Sequence, residues 1–513
     1  MELPPLILTG TAALIGYLVC TAVYRLYLSP LSKIPGPKLA ALTTWYNAYY
    51  DVVLGGQYMF AVRDMHRKYG PVVRTRPDAV HVIDPSFIDV LYTQSPKHRR
   101  DRAWTIMGTM QLTGSMLSTS EHDLHRRRRA SLNPYFSQQN VRRLEPVVSD
   151  TLAHLFRRMD GWAREGEPVQ INAAFRAATK DIIQAYAFGE SERYLDVEDC
   201  RRGFFEVLAP NRIAHLGTHA HWLVTLMTRM PTAIMTKIVP GVGFFKLYLE
   251  SLQAQIEEIK KAKNATGTKT IFHDILSSDI PDSEKTTSRL TDEAAVIVIA
   301  GSETTASTLA ALTYILLSDP ALLARLKTEL EDVMPDRYAP PPTASVLDGL
   351  PFLNAVIQET IRMYPGATHR QDRVAPDEDL VYESPDGKRR YVLPAGTTIG
   401  MAAPLVNRNP LVYDRPDEFL PDRYLENPGL RRHQIAFSKG GRQCLGMSLA
   451  YQELQTFAAG IFRRYELYDP AKTDQGPTLE LYETTVRDIA MHSEYITPAV
   501  HPDSKGVRIR IRS

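Results

Sequence analysis

The segment Phe437-Ser438-Lys439-Gly440-Gly441-Arg442-Gln443-Cys444-Leu445-Gly446 places a thiol, a guanidinium, an aromatic ring and three glycines just ahead of an amphipathic helical pattern over 446–464. A thiol at the start of a helix faces unpaired backbone N–H groups and the positive end of the helix dipole, which lower its pKa and favour the thiolate. Such a sulfur can serve as axial ligand to the iron of a flat macrocycle, where its electron donation favours O–O cleavage. Gly440 and Gly446 would let the backbone pass close to the ring where a side chain would collide. Arg442 offers a fork of donors for a carboxylate, and Phe437 can pack beside the sulfur and exclude water. A lone cysteine in a glycine-rich turn is otherwise most often a buried free thiol, so the surrounding pattern decides.

That pattern, F-x-x-G-x-R-x-C-x-G, resembles the haem-binding signature of the cytochromes P450. The resemblance implies a mainly α (α+β) cytochrome P450 fold, haem b held by the Cys444 thiolate, and a haem-thiolate monooxygenase. Three further stretches carry the same resemblance. Glu359 and Arg362 lie three apart in the helical run 352–364, so they share a face; they are similar to the family's E-x-x-R pair, which implies a buried network completed by Arg423 of Pro421-Asp422-Arg423-Tyr424. Ala300-Gly301-Ser302-Glu303-Thr304-Thr305 puts a glycine and threonines inside a long apolar helix, at about 1 kcal/mol for the glycine alone. The family's A-G-x-[DE]-T-T stretch distorts that helix over the distal face of the haem, which implies proton-carrying roles for Glu303 and Thr304. His125-Arg126-Arg127-Arg128-Arg129 resembles the family's W-x-x-x-R helix, with His125 in the tryptophan place and Arg129 in the arginine place, both then propionate partners; Arg370 is similar to another. Arg126 and Arg127 would belong to the positive surface that receives an electron donor.

Helical periodicity covers about 141–160, 172–188, 246–263, 291–318, 319–334, 346–364 and 446–464. Strands are expected at 72–75 and 79–83 around Pro77-Asp78, near 379–400, and near the C-terminus. Substrate contacts are expected from 103–120, the loop near 230–245, 296–300 and 366–368, segments rich in small and apolar residues that suit a lipophilic ligand. Pro231 to Phe245 could dip into a membrane surface and admit ligand from lipid.

No charge interrupts Leu6 to Tyr24, a run that approaches the roughly 30 Å of a bilayer core. Residues 1–32 are therefore expected to be a membrane anchor and 33–513 the catalytic domain, with the Pro-rich segment 34–38 as a hinge. Arg25 and Lys33 after the span place the body in the cytosol by the positive-inside bias, on the endoplasmic reticulum membrane, and leave the Asn264-Ala265-Thr266 sequon unglycosylated. A formal charge of +2 on 513 residues offers no polyanion-binding tail, so nucleic acid is not an expected partner. Three dispersed cysteines exclude a disulfide framework. With no nicotinamide or flavin motif present, electrons must come from a separate chain: NADPH-cytochrome P450 reductase, with cytochrome b5 as a second donor, alongside O2 and the substrate. The Asp123 to Arg129 version of the propionate helix is similar to that of filamentous-fungal members of secondary-metabolite pathways, trichodiene oxygenase among them, which implies a terpenoid or polyketide scaffold. Two other readings are a haem-thiolate isomerase, dehydratase or peroxygenase needing no reductase, and a haem-based ligand carrier or sensor. Glu303 and Thr304 count against both, since neither needs a proton relay.

Overall fold

The computed structural model describes residues 5–103, 112–209, 212–261 and 270–513. The sequon at 264–266 and residues 104–111 of the expected substrate segment lie outside them. The centre of the molecule is the helix Thr287–Ser318, apolar on nearly all sides. Against it pack Ile171–Phe188, Pro240–Lys261 and Met447–Arg464, themselves backed by Glu145–Glu165, Pro320–Val333 and Pro351–Met363. Helices that are hydrophobic all round belong in a core, and these form one cluster running from Leu112 to Ile511. The close approach of Ile171–Phe188 to the central helix explains the costly mid-helix glycine: a Cβ at Gly301 would stand 2.9 Å from Ile183 Cγ1. The central helix runs unbroken through this stretch, and its Ser302 and Thr304 hydroxyls donate to the carbonyls of Val298 and Ala300.

The expected helices are present within a few residues of their predicted ends. One pattern splits: 346–364 becomes Ala344–Asp348 and Pro351–Met363, because Pro351 cannot continue a helix but opens one well.

The β structure sits at two edges of the helical body. Strands β1 (Val72–Arg76), β2 (Ala79–Val82), β3 (Asp101–Arg102), β5 (Arg373–Val374) and β8 (Thr398–Gly400) form a sheet in the order β1-β2-β8-β5-β3, parallel only between β2 and β8. A second sheet orders β4 (Val169–Gln170), β13 (Arg508–Arg512), β10 (Thr478–Leu481) and β9 (Glu466–Leu467) as β4-β13-β10-β9. Two hairpins, β6 (Leu380–Glu383) with β7 (Arg390–Leu393) and β11 (Ser493–Tyr495) with β12 (Thr497–Ala499), complete the set.

The N-terminal helix Pro5–Val23 stands clear of the body, and Thr9–Leu28 is long and apolar enough to cross a membrane. The central helix passes the same test but is mostly buried, as a core helix should be. The Pro-rich segment expected to be a hinge is fastened down. Arg74 N–H donates to Pro35 O at 2.7 Å, Arg74 Nη1 to Arg25 O at 2.7 Å, and Arg25 Nη1 to Leu42 O at 2.5 Å. Leu31 and Ile34 are buried in the core cluster of the first sheet, and a Cβ at Gly36 would lie 2.4 Å from Arg74 O. Two prolines that supply no N–H still leave carbonyls to bind, and β1 uses one of them.

Candidate active site

The Cys444 loop is held from behind. Cys444 N–H donates to Phe437 O at 2.8 Å and Gln443 N–H to Gly440 O at 3.1 Å, closing a compact turn before Met447–Arg464. Ser438 adopts a left-handed backbone (φ 56°), a strained state of order 1 kcal/mol, and its hydroxyl accepts from Arg373 Nη2 at 3.0 Å. Phe437 packs on Tyr451 with ring centroids 5.3 Å apart, and Gln358 of Pro351–Met363 donates to the Tyr451 hydroxyl at 2.7 Å. The loop is thereby tied to the helix carrying Glu359 and Arg362.

The two glycines do different work. Gly440 has φ 69°, and a Cβ there would fall 2.4 Å from Tyr92 O; it is required by the fold, not by a ring. A Cβ at Gly446 would meet nothing within 4 Å. The Cys444 side chain also borders open interior space although the residue lies deep in the protein, and Ala300 is similarly accessible on an otherwise buried helix. Burial pushes the Cys444 thiol up, while the Gly446 N–H and the Arg129 guanidinium pull it down. Desolvation outweighs the helix-start effect expected to lower it, so a cation facing the sulfur is needed to make it a ready thiolate.

Beside the loop lies a group of cations. Arg129 Nη1 donates to Gln443 O at 2.6 Å; Arg442 donates to Thr119 O at 2.6 Å and to Ser120 O at 2.5 Å. Arg102 and Arg373 of the adjacent strands β3 and β5 complete the group, and Arg102 Nε has no partner. None of these four forms an ion pair among the described residues. Burial and mutual repulsion push Arg442 down to about 8 and Arg102 down to about 9. His125, buried among them, is pushed down to about 2 by desolvation and then by Arg442, Arg102, Arg129 and Arg373; it is neutral. Asp372 and Asp101 attract these cations without pairing with them; buried cations lacking a bonded anion are costly, and a dianionic ring edge would supply one. The residues fit a haem with its propionates among Arg102, Arg129, Arg373, Arg442 and His125 and its iron on Cys444.

Arg102 and Arg373 escaped sequence reasoning. Arg373 is three residues from Arg370, and strand alternation could have raised the question of which one faces the ring. Arg370, the expected propionate partner, is engaged elsewhere: its guanidinium lies 4.7 Å over the Tyr58 ring and 3.9 Å from Asp51.

The expected structural network is present. Glu359, fully buried, binds Arg362 bidentately at 2.7 and 2.8 Å, accepts from Arg423 Nε at 3.1 Å and from Leu420 N–H at 2.9 Å. Arg362 also donates to Asn407, Pro416 and Glu418 carbonyls, and Arg423 to Asp414 and Arg415 carbonyls.

On the other side, Glu303 is paired bidentately with Arg176 at 2.6 and 2.7 Å. Both line a cavity of about 1190 Å³ with Ser307, whose lining does not include Cys444, Ala300 or Thr304. Glu303 therefore faces a separate space, and Thr304 lies one residue on. Gly366 presses on Thr304: a Cβ there would meet Thr304 Cβ and O at 2.9 Å. Leu112 to Thr119 is stapled across the start of the central helix, with Gly114 N–H donating to Asp292 at 2.8 Å and Met116 N–H to Glu293 at 3.0 Å. This brings 112–119, 296–300 and 366–368 to one helix.

The chain belongs to the cytochrome P450 family, whose sequence model matches residues 37–493. Cytochrome P450 monooxygenase tpcC of Cochliobolus heterostrophus is 38% identical over 100% of this chain and 98% of its own length. Cytochrome P450 monooxygenase oblB of Aspergillus clavatus is 36% identical over 97% and 95%, and N-acetyltryptophan 6-hydroxylase ivoC of Emericella nidulans 34% identical over 97% and 95%. The crystal structure of the cytochrome P450 CYP102L1 shares the fold, with a TM-score of 0.69 at 17% identity over 91% of this chain and 96% of that one. The protein is a fungal-type cytochrome P450 monooxygenase of secondary metabolism.

Proposed function

We propose that the enzyme inserts one oxygen atom from O2 into a C–H or C=C bond of a lipophilic terpenoid or polyketide intermediate. The observation that carries this reading is the Cys444 loop set beside Arg102, Arg129, Arg373 and Arg442, none of which is paired with a carboxylate among the described residues. Haem bound there supplies the oxidising chemistry. The chain's own residues do the rest. Arg102, Arg129, Arg373 and Arg442 orient the propionates, and Phe437 keeps water from the sulfur. Thr304, whose hydroxyl now donates to Ala300 O at 3.0 Å, can turn to hand on a proton. Glu303 can receive one from its own cavity once Arg176 releases a carboxylate oxygen.

Electrons come from NADPH-cytochrome P450 reductase, with cytochrome b5 as an additional donor. Arg126 and Arg127, exposed beside buried His125, supply part of the docking surface; charge reversal at both should slow reductase-supported turnover and flatten its salt dependence. The exposed apolar side chains Trp45, Trp222, Leu226, Ile234, Ile238 and Phe244 support a membrane-facing entrance on the same protein as the apolar N-terminal helix. An endoplasmic reticulum setting with the body in the cytosol follows from that anchor. Co-expression with a reductase in a host making candidate terpene and polyketide precursors should yield a product heavier by one or more oxygen atoms. A normal substrate-induced spectral shift without NADPH consumption or product would overturn the monooxygenase reading in favour of a ligand carrier. Product formed without reductase would favour an isomerase or peroxygenase.

A further inference from the structure

Away from the haem side, three parts of the chain meet at a buried cluster. Asp51, on the segment Tyr49–Val53 near the N-terminus, is fully buried. His215 and His219 lie four apart on the helix Arg212–His219, so both face it from one side. Glu494 is on β11, which forms the third wall. Ligand atoms of Asp51, His215 and Glu494 all lie within 4.8 Å of one another.

The hydrogen bonds leave lone pairs pointing inward. His215 Nε2 is 2.6 Å from the Glu494 backbone carbonyl. A carbonyl only accepts, so Nε2 carries the proton and, in neutral His215, Nδ1 is bare. That nitrogen faces Asp51 Oδ2 at 3.9 Å, a separation that leaves room for a cation between them. Asp51 Oδ2 is steadied by Asn47 Nδ2 at 2.7 Å and His219 Nε2 at 3.0 Å. Asp51 Oδ1 has no hydrogen-bond partner. Arg370 stays 3.9 Å from Oδ2, outside hydrogen-bond distance, and its Nη1 also lacks a partner. It balances charge without filling the carboxylate. A ligating histidine normally donates its other N–H to a carbonyl, and a ligating carboxylate is normally held by a further donor. Both arrangements are present.

We propose that Asp51, His215 and Glu494 form a binding site for one Zn²⁺, with His219 holding the Asp51 carboxylate, and that the ion fastens the helix Arg212–His219 to the N-terminal segment and to the β11–β12 hairpin. Mixed imidazole and carboxylate ligands suit zinc at roughly 2.0–2.2 Å. Ligand atoms up to 4.8 Å apart must draw in by about 1 Å to reach those distances, which side-chain rotations of Asp51 and Glu494 can supply. The carboxylates of Asp51 and Glu494 face one arginine, Arg370, at this cluster, a balance that favours a divalent cation. Zinc would hold down an element next to the exposed apolar helices His221–Arg229 and Thr232–Ile238.

The test is equilibrium dialysis of full-length, haem-loaded protein against Zn²⁺. One equivalent should be retained by the wild type, with at least tenfold weaker retention in Asp51→Asn and in His219→Ala. Unchanged carbon monoxide difference spectra show that each variant is folded, and His215→Gln serves where either fails. Zinc-edge X-ray absorption should show only nitrogen and oxygen neighbours. No retained zinc in the wild type overturns the proposal and leaves the cluster a metal-free latch. Retention unchanged in the variants, or a sulfur shell at about 2.3 Å, places the metal elsewhere and also overturns it.

Discussion

Two groups of buried arginines lie on either side of the Cys444 loop, and they differ in where the negative charge comes from. Arg362 and Arg423 share Glu359, and every polar atom of that carboxylate is bonded within the chain. Arg129, Arg373 and Arg442 donate to backbone carbonyls, Arg373 also to the Ser438 hydroxyl, and Arg102 Nε has no partner. The first group is complete and therefore scaffold. The second becomes complete only when an anion arrives and is therefore a binding site. Residue type is the same in both, and only Arg129 is less than buried; the presence of a bonded carboxylate separates them.

The comparison breaks most sharply at Arg362. Arg362→Leu leaves Glu359 buried with half its partners, which costs about 3–5 kcal/mol. Chemical denaturation of the haem-free and haem-loaded forms should show the loss in both. Arg102→Leu should do the opposite in the haem-free protein, raising its stability by removing an unpaired cation. In the loaded protein it deletes a charge-assisted contact worth about 1.5–3 kcal/mol, or roughly ten- to hundredfold in haem affinity. Transfer of haem to an acceptor globin measures that. If Arg102→Leu destabilised the haem-free chain, the distinction between the two groups would be wrong.

Glycines give a second contrast of the same kind. Gly440→Ala forces a side chain onto Tyr92 O at a backbone angle that disfavours it, and about 1–3 kcal/mol should be lost from the fold itself. Gly446→Ala meets open space; haem-free stability should be nearly unchanged while haem loading falls. Gly366→Ala would press on Thr304 and should raise the share of NADPH electrons lost to peroxide more than it lowers stability.

Cys444, Arg442, Arg129, Glu359, Arg362 and Arg423 stand out in the sequence because they sit at fixed spacings within motifs, and local spacing survives in one dimension. The long helices are legible because their apolar periodicity is strong. Arg102 and Arg373 were not legible because they meet only through the pairing of β3 with β5, a contact between segments some 270 residues apart. Arg370 lies ahead of β5, three residues from Arg373, and only Tyr58 and Asp51 show that its surroundings differ. The missing N–H groups of the Pro-rich segment are visible in the sequence and suggest a hinge, whereas the Arg74 N–H that binds it is not visible there.

The pH dependence extends the comparison to two buried histidines with lowered pKa values. His66, hydrogen-bonded to His81 and to Gly70 O, is pushed down to about 4 by desolvation. His125 is pushed to about 2 by desolvation and the four arginines. For His66 the folded pKa lies below the unfolded value of about 6.5, so the unfolded chain binds more protons between the two. Its stabilising contribution is complete above pH 6.5 and is lost as pH falls to 4, by up to about 3 kcal/mol. Haem leaves His66 untouched, so this slope should be identical in the haem-free and loaded protein. Propionates beside His125 should raise its pKa and lessen the acid-side loss below pH 4 in the loaded form alone. Denaturation midpoints across pH 3–7 for both forms, with His66→Asn as reference, separate the two contributions. Parallel curves below pH 4 would mean that the propionates do not lie among Arg102, Arg129, Arg373 and Arg442.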